Sequence, residues 1–319
     1  MSFSSGVKEE LYRHISPARH CQLAELAALL HFNGSIGVGT TGTFLQIHAE
    51  NALVVRKCFT LLQKTFNIST ETRVQQENQQ TGYFCRIDDP ELIRRILQGI
   101  KFLDQTGSPT FGEESLQDGL RCPVSRLLIR NSCCQRAFLR GTFLAAGSMS
   151  NPGMQIPYPL SLCSRPLQAQ QILEILTEFE IEGRIVQRKK YYVVYIKEGA
   201  GISDFLNVVE AHVALMEFEN SRIVREVRNT VNRRVNCETA NITKTVTAAA
   251  RQVDDILFLQ QKYGFEKLPV SLRQMAEVRL EYPEAPLKEL GMYLDPPVGK
   301  SGVNHRLRKL CELADAMRS

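Results

Sequence analysis

The sequence predicts an α+β protein in which a duplicated α/β unit is followed by an all-α domain. Three observations carry this: an internal repeat, a switch to purely helical patterning at Ser221, and a basic surplus confined to the last third of the chain. A chain of 319 residues is too long for one ordinary core. Its 43% hydrophobic and 23% charged residues are the balance of a folded chain rather than a disordered one.

The repeat pairs Leu26-Ala-Ala-Leu-Leu-His-Phe-Asn-Gly-Ser-Ile36 with Leu139-Arg-Gly-Thr-Phe-Leu-Ala-Ala-Gly-Ser-Met149. Both are helical stretches rich in small residues that end in Gly-Ser. Gly34 and Gly147 are expected just past a helix end, where a positive φ favours glycine. After the first copy come a strand at 43–48, a helix at 52–65, strands near 72–76 and 83–87, and a helix at 90–103. After the second come a strand at 158–162, a helix at 167–179, strands at 184–188 and 191–196, and a helix at 202–213. The segment Thr106-Gly-Ser-Pro-Thr-Phe-Gly112 between them has the composition of a connector.

From Ser221 the periodicity is helical. Val224, Val227, Val231 and Val235 form an apolar seam, and Arg225, Asn229, Asn232, Arg233 and Asn236 lie on the other side. A second run covers 240–263, and shorter helices follow at 271–282, 286–294 and 301–317. The expected domains are 1–110 and 111–220 for the two halves, 221–264 for a helical connector, and 265–319 for a terminal domain. Residues 1–220 hold 22 Lys and Arg against 22 Asp and Glu, whereas residues 221–319 hold 17 against 12. A basic domain joined to a neutral one is the asymmetry expected where one part meets a polyanion.

The amino-terminal residues hold no apolar signal region, and no stretch is long and apolar enough to span a bilayer, so the expectation is a cytoplasmic protein without membrane contact. The nine cysteines include no CxxC pair, and only Cys133 and Cys134 are adjacent. That spacing points to neither a zinc site nor a disulfide framework, and the expectation is reduced thiols with no metal and no cofactor.

Small residues recurring along a helix let two backbones approach closely. Here the pattern resembles the LAGLIDADG motif of homing endonucleases, which implies a duplicated αββαββα domain with the two motif helices at its seam. In that family each helix ends in an acidic residue before the glycine, and the two carboxylates hold the divalent ions that drive phosphodiester cleavage. The corresponding positions are Asn33 and Ala146. Neither is acidic, and Glu25 stands at the start of its helix, so the resemblance implies the fold without a catalytic residue. Arg184, Arg188, Lys189 and Lys190 are the candidates for any DNA contact by this part.

The stretch Pro286 to Leu294, a turn, and Lys300 to Leu310 read as a helix-turn-helix, with a turn longer than the minimal motif. Pro286 suits a first-turn position and Ser301 an N-cap. Val303, Leu307, Leu310 and Ala314 line one face of the last helix. The ten residues from Lys300 hold four basic side chains and no acid, the layout of a recognition helix. Asn304, His305 and Arg308 are expected at base edges, and Lys300, Ser301 and Lys309 at phosphates. Lys288, Arg306, Arg225, Arg228 and Arg233 complete the expected DNA-binding set. Gly299-Lys300-Ser301 imitates the end of a Walker A loop, but Leu294 stands where the loop needs glycine.

Four segments together, Phe3 to Leu11, Phe138 to Ser148, Asn232 to Val246, and Leu287 to Gly291 with Lys300 to Leu310, resemble the WhiA family over essentially the whole chain. The resemblance implies a degenerate LAGLIDADG-like domain joined to a helix-turn-helix similar to region 4 of sigma factors. It also implies a role in sporulation control, cell division or chromosome segregation. The expected protein is therefore a nucleoid-associated, monomeric transcriptional regulator that binds double-stranded DNA, with RNA polymerase or another regulator as a further partner. Two alternatives are an interaction scaffold contacting the transcription machinery and an active metal-dependent endonuclease.

Overall fold

The structure, a computed structural model, describes residues 2–39, 42–69, 72–77, 80–110, 120, 122–152, 160–189 and 191–318, with only the backbone described for 72–77 and 80–81. Phe111 and Gly112 of the expected connector, Tyr158 and Pro159 of an expected strand, and Lys190 lie outside the described residues. Two compact units divide at Arg225 and Glu226.

The first unit begins with α1 (Phe3–Arg13), whose Phe3, Val7 and Leu11 recur every four residues and are buried. Two copies of one arrangement follow. The first is α2 (Arg19–Asn33), β1 (Gly34–Gly39), β2 (Gly42–Ala49), α3 (Ala52–Phe66), β3 (Thr72–Glu77), β4 (Gln80–Ile87) and α4 (Pro90–Gly99). The second is α5 (Ser132–Ala146), β5 (Gly147–Met149), β6 (Leu160–Ser164), α6 (Pro166–Glu178), β7 (Arg184–Arg188), β8 (Tyr191–Ile196) and α7 (Gly199–Val208). The two sheets are antiparallel, ordered β1-β2-β4-β3 and β5-β6-β8-β7. β1 is rich in glycine and shows no alternation in the sequence; it exists because it pairs with β2 from Gly34 opposite Ile47 to Gly39 opposite Gly42.

Local chemistry sets several boundaries. Asn51 accepts from the Leu53 amide at 2.9 Å to start α3, and Asn67, at φ 57°, ends it in the left-handed region. Asp89 accepts from the Glu91 and Leu92 amides ahead of Pro90, the first residue of α4. The expected connector opens with a turn in which Asp104 Oδ1 accepts from the Thr106 and Ser108 amides at 2.8 and 2.9 Å.

α2 and α5 pack side by side at the centre, and one core runs through both halves. A Cβ on Gly141 would lie 2.7 Å from the Glu25 carbonyl oxygen and 2.9 Å from Ala28 Cβ, so the closeness of the two backbones depends on this glycine. Gly34 and Gly147 have φ of −88° and −80°, contrary to the positive values expected. Each helix runs straight into a strand, and a Cβ would meet the Leu30 oxygen at 2.5 Å or the Phe143 Cδ2 at 2.4 Å. Crowding, not backbone sign, requires glycine there.

In place of the two helical runs expected from Ser221 and Ala240, one helix, α8 (His212–Lys262), spans 51 residues, and the expected helix through Val213 stops at Val208. No Gly or Pro interrupts α8, so nothing in it breaks the hydrogen-bond ladder. The second unit takes the carboxyl part of α8, a 3₁₀ turn (Phe265–Lys267), α9 (Val270–Glu281), α10 (Leu287–Met292) and α11 (Lys300–Arg318). Its core joins Ile256 and Leu259 of α8 to Leu272, Met275 and Ala276 of α9, Leu290 of α10, and Val303, Leu307, Leu310 and Ala314 of α11. The end of the segment expected as a connector thus supplies part of a core.

Candidate nucleic-acid interface

α10 and α11 pack against each other in the second unit, joined by residues 293–299. The turn is held tightly: the Val298 amide donates to the Gly291 carbonyl at 2.9 Å, and a Cβ on Gly291 would stand 2.0 Å from the Val298 oxygen. Buried Arg279 braces the preceding element, donating to Gln252 Oε1 at 2.8 and 3.1 Å and to the Ala285 carbonyl at 2.7 Å. Tyr282 and Tyr293 stack with ring centroids 4.3 Å apart beside the turn.

α11 begins at Lys300, so Ser301 is its second residue rather than its N-cap; the Val303 amide bonds to the Gly299 carbonyl at 3.1 Å. Pro286 likewise precedes α10 rather than opening it. With Val303, Leu307 and Leu310 turned into the core, Ser301, Asn304, His305 and Arg308 fall at spacings of three and four on the opposite, exposed face. Lys300 and Lys309 are exposed beside them, and Arg306 is half-buried. Arg308 Nε pairs with Glu312 at 2.9 Å, a solvent-exposed bond of little strength that a stronger acceptor can displace. The carboxyl half of α11 is tied down: Arg318 pairs with the buried Asp255, and Arg251 reaches Asp315 at 2.8 Å. The basic, acid-free half of the helix is thus the one left open. Lys288 is exposed on α10. On α8, Arg228 and Arg233 are exposed and Arg225 is half-buried, while Val224, Val227, Val231 and Val235 are each half-exposed.

The lost-acid positions also lie where the repeat places them, at the ends of α2 and α5. A cleft of about 670 Å³ opens there, lined by Asn33, His48, Glu50, Asn51, Leu144 and Ala145 among others. Asn33 Nδ2 donates to the His48 carbonyl at 3.1 Å, and Glu50 is the single carboxylate among the described lining residues. Glu25, read as a helix-start residue, is fully buried mid-helix, 3.1 Å from Lys57 Nζ and 3.3 Å from Arg140 Nε. Lys57 also donates to the carbonyls of Leu11, Tyr12 and His14. Burial pushes the Lys57 ammonium below its usual range, and Glu25 opposes that shift. This carboxylate is consumed by structure. Arg184 pairs with Glu182 at 2.9 Å, and Arg188 and Lys189 are exposed at the β7–β8 turn.

One grouping escaped the sequence reading. His20, Cys21, Cys133 and Cys134, far apart in the chain, have their ligating atoms within 4.8 Å of one another. Only the adjacency of Cys133 and Cys134 hinted at it.

A duplicated LAGLIDADG-like α/β domain joined to a helix-turn-helix domain defines the class of protein. Residues 19–103 match the WhiA N-terminal LAGLIDADG-like domain, 135–228 the WhiA LAGLIDADG-like domain, and 231–314 the WhiA C-terminal HTH domain. The chain belongs to the WhiA family. A relative named "Probable cell division protein WhiA" from Lachnoclostridium phytofermentans is 48% identical over 320 residues, covering 100% of both chains. One of the same name from Desulforamulus reducens is 45% identical, covering 100% of this chain and 97% of that one. The crystal structure of full-length DUF199/WhiA from Thermatoga maritima shares the fold, with a TM-score of 0.57, 24% identity and coverage of 99% of each chain. No described helix is long and apolar enough to cross a membrane.

Proposed function

We propose that this chain is a sequence-preferring DNA-binding regulator of cell division that reads duplex DNA with α11 and does not cleave it. The observation that carries the reading is the exposed face of Ser301, Asn304, His305 and Arg308, flanked by Lys300 and Lys309 and backed by a buried Val303-Leu307-Leu310 ridge. A rigid helix with amide, imidazole and guanidinium groups on its open side has the donors that base edges accept, and its amino end suits phosphate. Arg225, Arg228 and Arg233 add a sequence-independent term. A role in chromosome segregation or sporulation control, nucleoid association and a monomeric state belong to the same reading.

Absence of cleavage follows from the donor set. Asn33 offers one neutral oxygen, Ala146 none, and Glu25 is neutralised by Lys57 and Arg140, so hard divalent ions lack the paired carboxylates they require. Magnesium-dependent nicking by pure protein would overturn this.

The test of the main reading is binding to a selected site and to random duplex at several salt concentrations. Asn304→Ala or Arg308→Ala is expected to narrow the gap between the two by roughly 1–3 kcal/mol. Lys300→Ala or Lys309→Ala is expected to weaken both alike and flatten the salt slope by about one unit. Unchanged binding in all four variants refutes the assignment. The half-exposed valines of α8 favour a second reading, a scaffold that contacts RNA polymerase or another regulator; such an apolar interface depends little on salt.

A further inference from the structure

The amino ends of α2 and α5 meet, and each brings two adjacent ligating residues. His20 and Cys133 are 113 positions apart, the offset that also relates Cys21 to Cys134 and Leu26 to Leu139. Each half of the repeat therefore contributes the second and third residues of its seam helix. His20 Nδ1 lies 3.2 Å from Cys134 Sγ, 3.3 Å from Cys21 Sγ and 4.0 Å from Cys133 Sγ. A tetrahedron with zinc–sulfur bonds of about 2.3 Å and a zinc–nitrogen bond of about 2.0 Å has nitrogen–sulfur edges of about 3.5 Å and sulfur–sulfur edges of about 3.8 Å. The nitrogen–sulfur separations bracket the first value, and with all four atoms within 4.8 Å of one another, closing onto an ion takes movements of about 1 Å or less.

We propose that His20, Cys21, Cys133 and Cys134 hold a structural zinc ion that clamps the two pseudosymmetric halves together at the start of their shared seam. Hydrogen bonding alone accounts poorly for the cluster, because three sulfurs converge on one imidazole nitrogen that can accept a single proton. A metal engages all four groups at once. Three thiolates and a dication sum to one negative charge, which the positive ends of two helix dipoles favour, and neither Ala18 nor Asn131 caps its helix with a side chain. Soft sulfur ligands with one imidazole select zinc over magnesium or calcium. Four protein ligands close the site, so it braces structure and leaves no open position for a reacting water. His20 and Cys133 are exposed, which gives an ion a way in. Among the described residues, Cys21 and Cys134 share a small cluster with Ala24, Ala137 and the half-buried Ala18, apart from the main core, so this end of the seam has little apolar contact to hold it without metal.

Full-length protein prepared under reducing conditions and loaded with zinc is expected to retain a single equivalent, released when a mercurial blocks the thiols. Cobalt in its place is expected to show thiolate charge-transfer absorption and the intense visible bands of tetrahedral coordination. Cys21→Ser and Cys134→Ser should each lower zinc affinity by tenfold or more, and Cys163→Ser on β6 should not. Since a serine variant can fail to fold, His20→Cys against His20→Ala supplies an independent comparison: the first should keep zinc in a four-thiolate site, and the second should bind it at least tenfold more weakly. Chelation should lower Tm in the parent and by less in His20→Ala. Lack of retained zinc, undiminished zinc in both serine variants, equal binding by the two His20 variants, or iron–sulfur absorption from the native protein would each overturn the proposal.

Discussion

Gly141 gives the sharpest energetic test of the seam. In a helix interior, replacing glycine with alanine ordinarily stabilises by about 0.8–1.0 kcal/mol, because glycine has more conformational freedom to lose. At Gly141 the added Cβ would stand 2.7 Å from a backbone oxygen and 2.9 Å from Ala28 Cβ, and neither atom is the end of a flexible side chain. The helices must separate, and overpacking of this kind costs about 1–3 kcal/mol. Gly141→Ala is therefore expected to be destabilising by up to about 2 kcal/mol after the propensity gain is offset, and Gly141→Leu by more. Gly6, in α1, has nothing within 4 Å of a built Cβ. Gly6→Ala should then show the ordinary gain, so the two substitutions differ in sign. Urea unfolding monitored by circular dichroism gives the stabilities, and hydrogen exchange of Gly141→Leu shows whether both halves loosen together. A Gly141→Ala protein as stable as Gly6→Ala, or loosening confined to one half, would refute the shared close-packed seam.

His31 is fully buried, its Nδ1 lies 2.7 Å from the Cys122 carbonyl, and burial pushes its pKa down to about 4. Below about pH 6.5 the unfolded chain takes up this proton before the folded one, so the stability present above that pH is lost as pH falls towards 4. The loss is on the order of 3 kcal/mol. Urea titrations across that range should show the slope, and His31→Gln should flatten it; equal slopes would count against a neutral buried imidazole. Lys57→Met should destabilise the first unit by about 3–5 kcal/mol because Glu25 loses a buried partner, and adding Glu25→Gln should recover part of that loss. A neutral Lys57→Met in thermal melts would show that the pair contributes nothing. Gly291→Ala, with its Cβ 2.0 Å from the Val298 oxygen, should displace the turn before α11 and weaken DNA binding without touching a base; wild-type affinity on a titration would contradict the placement of that turn.

What the sequence determined by itself was local in origin. Alternation and helical spacing marked β2, β8, α3 and the core face of α11, where Val303, Leu307, Leu310 and Ala314 lie on one side. The repeat and the two missing acids, Asn33 and Ala146, were legible because they recur at a constant offset. Tertiary structure decided what depends on distant neighbours. Gly34 and Gly147 are glycine because of atoms 2.5 Å or less from a would-be Cβ, not because of φ, and nothing in their local sequence distinguishes the two causes. β1 is a strand through its pairing with β2 rather than its own composition. Glu25 reads as an ordinary helical acid until folding brings Lys57 and Arg140 against it. His20 and Cys21 read as isolated residues for the same reason: their partners lie on the other half of the repeat, and only the pairing of α2 with α5 makes four ligands adjacent.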